Sequence, residues 1–440
     1  MRNTILATSL LSAIALASFT LADDGITVSD VSYVQSGRNL VVNYRLTGDE
    51  SAVVTIDILT NGVSIGAQNF TRLTGAVNTI VAPSATATNH IYWAARKEWP
   101  DRKVDSGVTV KVCARALTNP PDYFVLDLET GDKKWYASVE ALPDGGLTND
   151  VYKTTKLVMR RIPAGGETFT MGYPTNDTEL AKNYSYWLGR NIALPPHPVS
   201  LTDDFYMAIY ETTAKQYATV WPSQSNLPNS SAQNKQGEKQ PRAYVPTANI
   251  RGVNKYWPRD GHEVQTSPDR FIKLIRGIAG GVMFDLPTEA QWEFACRAGS
   301  TTLWYDNISW NGTKGVFVDG RGVCSQYMWA DEWGTNLGAA QEVGLLKPNA
   351  YGLYDMHGNV AETCLDAYIG SGGPSASDGS EVVDPVGPAA SDGGTYRVLK
   401  GGGYKTNKGE CGSGMRNTSP GATPMEPDIG FRLVCPAIAQ

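Results

Sequence analysis

Between Ile26 and about Ala116, apolar and polar residues alternate in short runs broken by Gly, Asn, Asp and Ser. A two-residue period sends successive side chains to opposite faces of an extended chain. Ile26–Val28, Leu40–Tyr44, Val53–Leu59 and Val108–Val112 are therefore predicted strands. Asn61-Gly62 follows the third run and predicts a two-residue hairpin, because both residues accept positive φ. Several such strands in one stretch predict an all-β, immunoglobulin-like sandwich over residues 23–116.

The pattern changes twice further on. Residues 117–155 carry Pro120-Pro121, Pro143-Asp144-Gly145-Gly146 and isolated aromatics, which predicts a bridging segment that packs on its neighbours. From Lys156, Trp, Gly and Pro become frequent and helical patterns short. Thr213-Ala214-Lys215-Gln216 and Thr288-Glu289-Ala290-Gln291 both fit a capping box, in which Thr hydroxyl and Gln amide satisfy each other's backbone N–H groups. Tyr217, Val220 and Trp221 follow the first box, and Phe294 follows Ala290 by one turn. Short helices among many loops predict an α+β domain over residues 156–440.

Composition narrows the function classes. The chain has 440 residues, 41% hydrophobic and 19% charged, which suits two globular domains. A net charge of -6 without clustered Lys and Arg leaves no footprint for nucleic acid. Arg2, the apolar run Ile5–Ala17 and Thr20-Leu21-Ala22 predict a signal peptide over residues 1–22. The run is short for an uncleaved anchor, and no later segment is apolar enough to cross a membrane. A secreted or periplasmic location follows, where the six cysteines 113, 296, 324, 364, 411 and 435 are permitted to pair.

Four stretches, in order, resemble the formylglycine-generating enzyme (sulfatase-modifying factor) family. They are Phe205–Tyr217, the Asp285–Gly299 segment Asp-Leu-Pro-Thr-Glu-Ala-Gln-Trp-Glu-Phe-Ala-Cys-Arg-Ala-Gly, Lys347–Glu362 with its Gly-Leu-Tyr-Asp-Met-His-Gly-Asn core, and Arg397–Tyr404 with Gly430–Leu433. The resemblance covers roughly residues 156–436 and implies a C-type-lectin-like α+β fold. Such a fold carries both enzymes and pure binding proteins, so it does not choose between them.

The oxidase members of that family hold copper(I) between two cysteines, a soft pair suited to that ion. Aligning Gly401-Gly402-Gly403-Tyr404 puts Thr406 at the first cysteine and Cys411 at the second. The motif's Ser is Gly403, and its two flanking Trp are Ala361 and Thr363. Copper is not expected at a site with one thiol. Cys411 remains the candidate catalytic residue, as a free reactive thiol. The resemblance instead implies that it pairs with Cys364, and that Cys296 pairs with Cys435. A three-histidine iron site is not expected from His90, His197, His262 and His357, which lack ligand spacing.

By the same resemblance, calcium is expected on the Asp355 and Glu362 side chains and the Gly358 and Val360 carbonyls. Ca²⁺ takes six to eight oxygens from a curved chain, and Gly358 permits the curve. The bland reading is that Asp355 caps a turn and Glu362 pairs with an Arg. A second, looser site would use Asp331. The aromatics Trp304, Tyr305, Trp310, Tyr327, Trp329 and Trp333 are core residues or line a ligand groove. The reading that results is a calcium-stabilised binding or accessory module for a peptide, protein or glycan outside the cytoplasm. Its alternative is a divergent oxidase or another Cys411-dependent enzyme.

Overall fold

The computed structural model describes residues 25–36, 39–100, 107–172, 196–224, 237–252, 267–305, 310–313, 316–317, 326–331, 337–368, 380–386, 396–418 and 426–437. The expected leader at 1–22, His262, Cys324, Trp333 and the side chain of Trp310 lie outside that description. The chain divides into two compact units. One comprises residues 1–123, 134–149 and 438–440, and the other residues 124–133 and 150–437.

The first unit is all β. Thr27–Ser36, Asn39–Thr47, Asn89–Trp93 and Leu73–Gly75 form one sheet in that order. Ala52–Thr60 organises the other, pairing antiparallel with Thr79–Val81 and, over nine residues, with Val108–Ala116. Strict alternation of buried and half-buried positions along Val108–Ala116 is the two-residue period of the sequence made physical. Both sheets contribute to one apolar core, which includes Val42, Tyr44, Ile58, Trp93 and Val110. At Asn61-Gly62 the expected hairpin forms. Thr60 pairs with Val63, and Asn61 and Gly62 take φ of 51° and 79°.

The second unit is α+β. Lys156–Ile162, Phe205–Ala208 and Val434–Pro436 run antiparallel to their neighbours, while Glu167–Met171 and His197–Leu201 form a separate ladder. A third sheet has the order Asn417–Thr418, Arg397–Lys400, Ala361–Ala367, Ile429–Gly430. Both capping boxes are present. The Thr213 and Thr288 hydroxyls accept from the Gln216 and Gln291 N–H groups, and both Gln side chains reach back to the cap N–H. Thr213 also donates to the Lys153 carbonyl at 2.7 Å, anchoring its helix to the preceding segment. The sequence reading missed a third helix, Phe271–Ile278, which buries Phe271, Ile272 and Ile275. Among the described residues, no helix is long and apolar enough to cross a membrane.

Candidate functional site

The third sheet of the second unit assembles the motif residues. Glu362 sits opposite Lys400 in the antiparallel pair and beside Gly430 in the parallel one. That placement brings Glu362 within reach of Arg432. Arg432 Nε lies 3.0 Å from both Glu362 oxygens, and Nη2 donates to Oε1 at 2.7 Å. Its other donors reach the carbonyls of Ala208 and Tyr354 at 2.9 and 2.7 Å. Trp292 Nε1 completes the carboxylate, donating to Oε2 at 2.7 Å. Both charged side chains are buried, so these partners together replace the water each has lost.

Two further buried carboxylates lie in the same neighbourhood. Glu211 accepts from Asn359 Nδ2 at 2.6 Å and from the Val360 N–H at 3.0 Å. Burial, together with the charges of Asp355 and Glu362, pushes its carboxyl well above the usual glutamate range. Asp355 accepts from the Gly344 N–H at 2.7 Å through one oxygen. Its other oxygen, Oδ1, is buried with no hydrogen-bond partner. Burial raises this carboxyl to about 6, although the Gly344 N–H and Arg432 oppose the shift.

Of the four residues expected to hold calcium, Asp355 thus keeps an oxygen free and Glu362 does not. The Gly358 N–H donates to the Gly401 carbonyl at 2.8 Å, and Gly358 has a φ of 80°. Val360 is buried and donates its N–H to Glu211. Among the described residues no three His, Cys, Asp or Glu converge on one point as a metal site. Asp331 is bridged to Asn407, its N–H donating to the Thr406 carbonyl. Trp304, Tyr305 and Tyr327 are core residues.

A second ionic cluster fixes the helix Glu289–Arg297. Lys400 Nζ lies 3.0 Å from Glu293 and 3.7 Å from Glu289, and Arg416 holds the other Glu289 oxygen at 2.9 Å. Arg297 and the Gly172 N–H complete Glu293, at 2.7 and 2.8 Å. Burial alone would raise the Glu293 carboxyl. Lys400, Arg297 and the Gly172 N–H outweigh burial and hold it below the usual range.

Thr406 and Cys411, aligned with the two thiols of the oxidases, do meet in space. A Cβ added at Gly402 would lie 2.6 Å from Cys411 Sγ and 3.2 Å from Thr406 Cγ2, so both flank one point above that glycine. The Thr406 hydroxyl is already committed, accepting from the Gly403 N–H at 2.9 Å. Cys411 is fully buried, and burial pushes its thiol far up, away from the reactive thiolate. One thiol and one committed hydroxyl do not fit copper(I). At Gly403, a Cβ would stand 2.8 Å from the Asp428 carbonyl, so the Ser expected of the motif has no room here.

His357 lies against this point without being free for chemistry. Its Nδ1 is 2.7 Å from the Cys411 carbonyl and its Nε2 accepts from the Tyr305 N–H at 3.2 Å. These partners fix the neutral tautomer with the proton on Nδ1. Burial lowers the ring's pKa to about 3, and the ring stacks on Tyr305 with centroids 4.4 Å apart.

The expected disulfides are not formed. Cys113, Cys296, Cys364, Cys411 and Cys435 are all free thiols. Cys411 Sγ faces the Asn407 carbonyl at 3.6 Å, and Cys364 Sγ faces the carbonyl of Glu362 on its own strand. Cys296 Sγ faces Ser413 Oγ at 3.5 Å and the His357 ring at 4.0 Å, while Cys435 sits in a ladder opposite Tyr206. Each sulfur of the two expected pairs is enclosed by other groups, and burial drives all four pKa values upward.

Residues 149–437 match the family described as the sulfatase-modifying factor enzyme 1-like domain. The chain belongs to this family. Among curated relatives, it is 32% identical over 130 residues to the formylglycine-generating enzyme of Thermomonospora curvata, covering 29% of this chain and 40% of that one. The enzyme of the same name from Streptomyces coelicolor is 34% identical over 136 residues, covering 29% and 38%. A serine/threonine-protein kinase pkn1 of Chlamydia pneumoniae is 36% identical over 149 residues, covering 33% of this chain and 20% of that one. The chain thus spans two fifths or less of these relatives' lengths. Among solved structures, Treponema denticola variable protein 1 aligns at 23% identity with a TM-score of 0.44, covering 64% of this chain and 95% of that one. PvdO from Pseudomonas aeruginosa aligns at 18% with a TM-score of 0.47, covering 63% and 94%.

Sequence reasoning missed Glu211, Trp292 and Arg432 as members of the site. For Glu211 and Arg432 a signal was available, since a charge inside an apolar run such as Ala-Ile-Tyr-Glu-Thr or Gly-Phe-Arg-Leu must be paired once buried.

Two outcomes follow from these contacts. Glu293→Gln leaves Lys400 and Arg297 short of a counter-charge and should cost roughly 3 kcal/mol at neutral pH. A carboxyl held low in the fold stabilises above its unfolded pKa and loses that contribution as pH falls through its folded value. Urea titrations from pH 7 downward should therefore show wild type losing stability in acid more steeply than Glu293→Gln, and equal slopes would refute the assignment. For the cysteines, a maleimide should leave Cys296, Cys364, Cys411 and Cys435 unlabelled in the native protein and label all four in denaturant. Recovery of a Cys364–Cys411 cross-linked peptide without reductant would show the thiol description to be wrong.

Proposed function

We propose that this chain is an exported binding or accessory module on a sulfatase-modifying-factor scaffold, recognising a peptide, protein or glycan outside the cytoplasm. One observation carries the reading. At the point above Gly402 where the oxidases need two thiolates, this chain offers the committed hydroxyl of Thr406 and the buried, protonated thiol of Cys411. A nucleophile needs a base within reach. His357, the nearby imidazole, has both ring nitrogens engaged and is held neutral by burial. Export rests on the composition of residues 1–22.

Calcium belongs to the proposal through Asp355. Glu211, Asp355 and Glu362 are buried within electrostatic reach of one another without converging on one point, and Arg432 is committed to Glu362. The unpartnered Asp355 Oδ1 is a hard oxygen suited to Ca²⁺, which would offset the surplus charge. Glu362 is the member of the expected set that does not fit, because Arg432 and Trp292 occupy both its oxygens.

Two measurements test this reading. The protein, loaded with copper under reducing conditions, should leave a Cys-x-Pro-x-Arg peptide unoxidised; aldehyde on the peptide, absent with Cys411→Ala, would restore the enzyme reading. Millimolar Ca²⁺ should raise the melting temperature by several degrees over chelator, since binding to the folded form alone adds stability. Asp355→Asn should erase that rise, the left-handed φ of 57° at this position being one Asn accepts. A melting curve indifferent to both calcium and chelator removes the metal from the proposal.

A further inference from the structure

The first unit carries a groove of about 420 Å³, a size in the range of small-ligand sites. It opens at Leu73–Gly75, the outermost strand of its sheet, beside Asn89–Trp93. Lys134, Tyr136 and Pro143 close the other side, and the Trp135 N–H docks that segment onto the Asn78 carbonyl at 3.0 Å.

The lining has a consistent chemistry. Arg72, Lys97 and Lys134 give it three cations, and it includes no Asp or Glu. None of the three has an ion pair among the described residues. Glu98, adjacent to Lys97 in the chain, is not part of the lining, and its carboxylate is occupied. It accepts from Thr71 Oγ1 at 2.7 Å, from the Thr71 and Arg72 N–H groups, and from Trp93 Nε1 at 2.7 Å. Tyr92 is 42% exposed and lines the same groove, presenting an aromatic ring among the cations. Asn39 and Thr74 add neutral amide and hydroxyl groups.

We propose that this groove binds an anionic oligosaccharide, one bearing sulfate or carboxylate groups. Unpaired cations without a competing carboxylate attract anions. Guanidinium and ammonium donors make strong charge-assisted hydrogen bonds to sulfate or carboxylate oxygens. An acidic peptide would satisfy the cations equally. The exposed ring with neutral hydrogen-bonding groups beside it favours a sugar, whose apolar ring face stacks while its hydroxyls find partners. This site lies within the first unit and does not depend on the function proposed for the second.

The test uses the full chain and four probes: dextran sulfate, polygalacturonate, neutral dextran and polyglutamate. Saturable, salt-sensitive binding of dextran sulfate or polygalacturonate is expected, with the tighter of the two telling sulfate from carboxylate. Neutral dextran should not bind, and polyglutamate should bind at least about tenfold more weakly, a difference of about 1.4 kcal/mol. Arg72→Ala with Lys97→Ala should weaken the anionic glycan about tenfold or more. Tyr92→Ala should weaken the glycan and leave polyglutamate unchanged. These are surface changes, and an unaltered melting curve shows that the fold survives them. Three results overturn the proposal: no saturable glycan binding by wild type, polyglutamate bound as tightly as the glycans, or glycan binding untouched by both variants.

Discussion

The Arg432–Glu362 pair is the interaction on which the second unit depends. Through it and its satellites, one guanidinium joins the Glu289–Arg297 helix, the Ala361–Ala367 strand, the Phe205–Ala208 strand and the Tyr354 loop. A buried ion pair is a weak source of net stability, because desolvation consumes much of the Coulomb gain. Its strength lies in specificity. Every donor of Arg432 that is described has a particular acceptor, so a shifted register would strand a charge in the core.

The second cluster applies the same constraint beside the first, Lys400 reaching Glu293 while lying over the Trp292 ring. Glu289 and Glu293, one turn apart, are met by Lys400, Arg416 and Arg297, and Glu293 also takes the Gly172 N–H. This short helix buries Ala290, Trp292, Phe294 and Ala295, and apolar contact alone is non-directional. The buried carboxylates add direction, because each has specific cationic partners. The same rigidity explains why the thiols stay apart, since Cys296 rides on that helix facing Ser413 and His357.

How far the sequence reveals this architecture depends on the range of the interaction. The two capping boxes and the Asn61-Gly62 hairpin involve neighbours within a few residues, and their residue types state the geometry directly. Thr406 and Cys411 were placed side by side by family resemblance, and the fold brings them to one point. A pairing of Glu362 with an Arg was one reading of the sequence, but which arginine was not legible, because Glu362 and Arg432 are separated by 70 positions and nothing local marks either as the other's partner. Pairing of Cys364 with Cys411 was wrong for the same reason. The resemblance that implied it carries no information on which way a buried sulfur faces in this chain. Asp355 was legible as a ligand type, while the choice between calcium and an arginine for Glu362 was decided only in three dimensions.

The three consecutive glycines at 401–403 set a limit on how this site can change. A side chain at Gly401 would meet Trp292, one at Gly402 would meet Cys411, and one at Gly403 would meet the backbone of Asp428. Each obstruction comes from a different element, so no single compensating substitution relieves all three. The glycine run is thus a fixed anvil, and new chemistry at this point must be forged from the loop facing it, residues 404–411. Tyr404 and Cys411 at the ends of that loop are buried, so the latitude is concentrated between them, at positions such as Thr406.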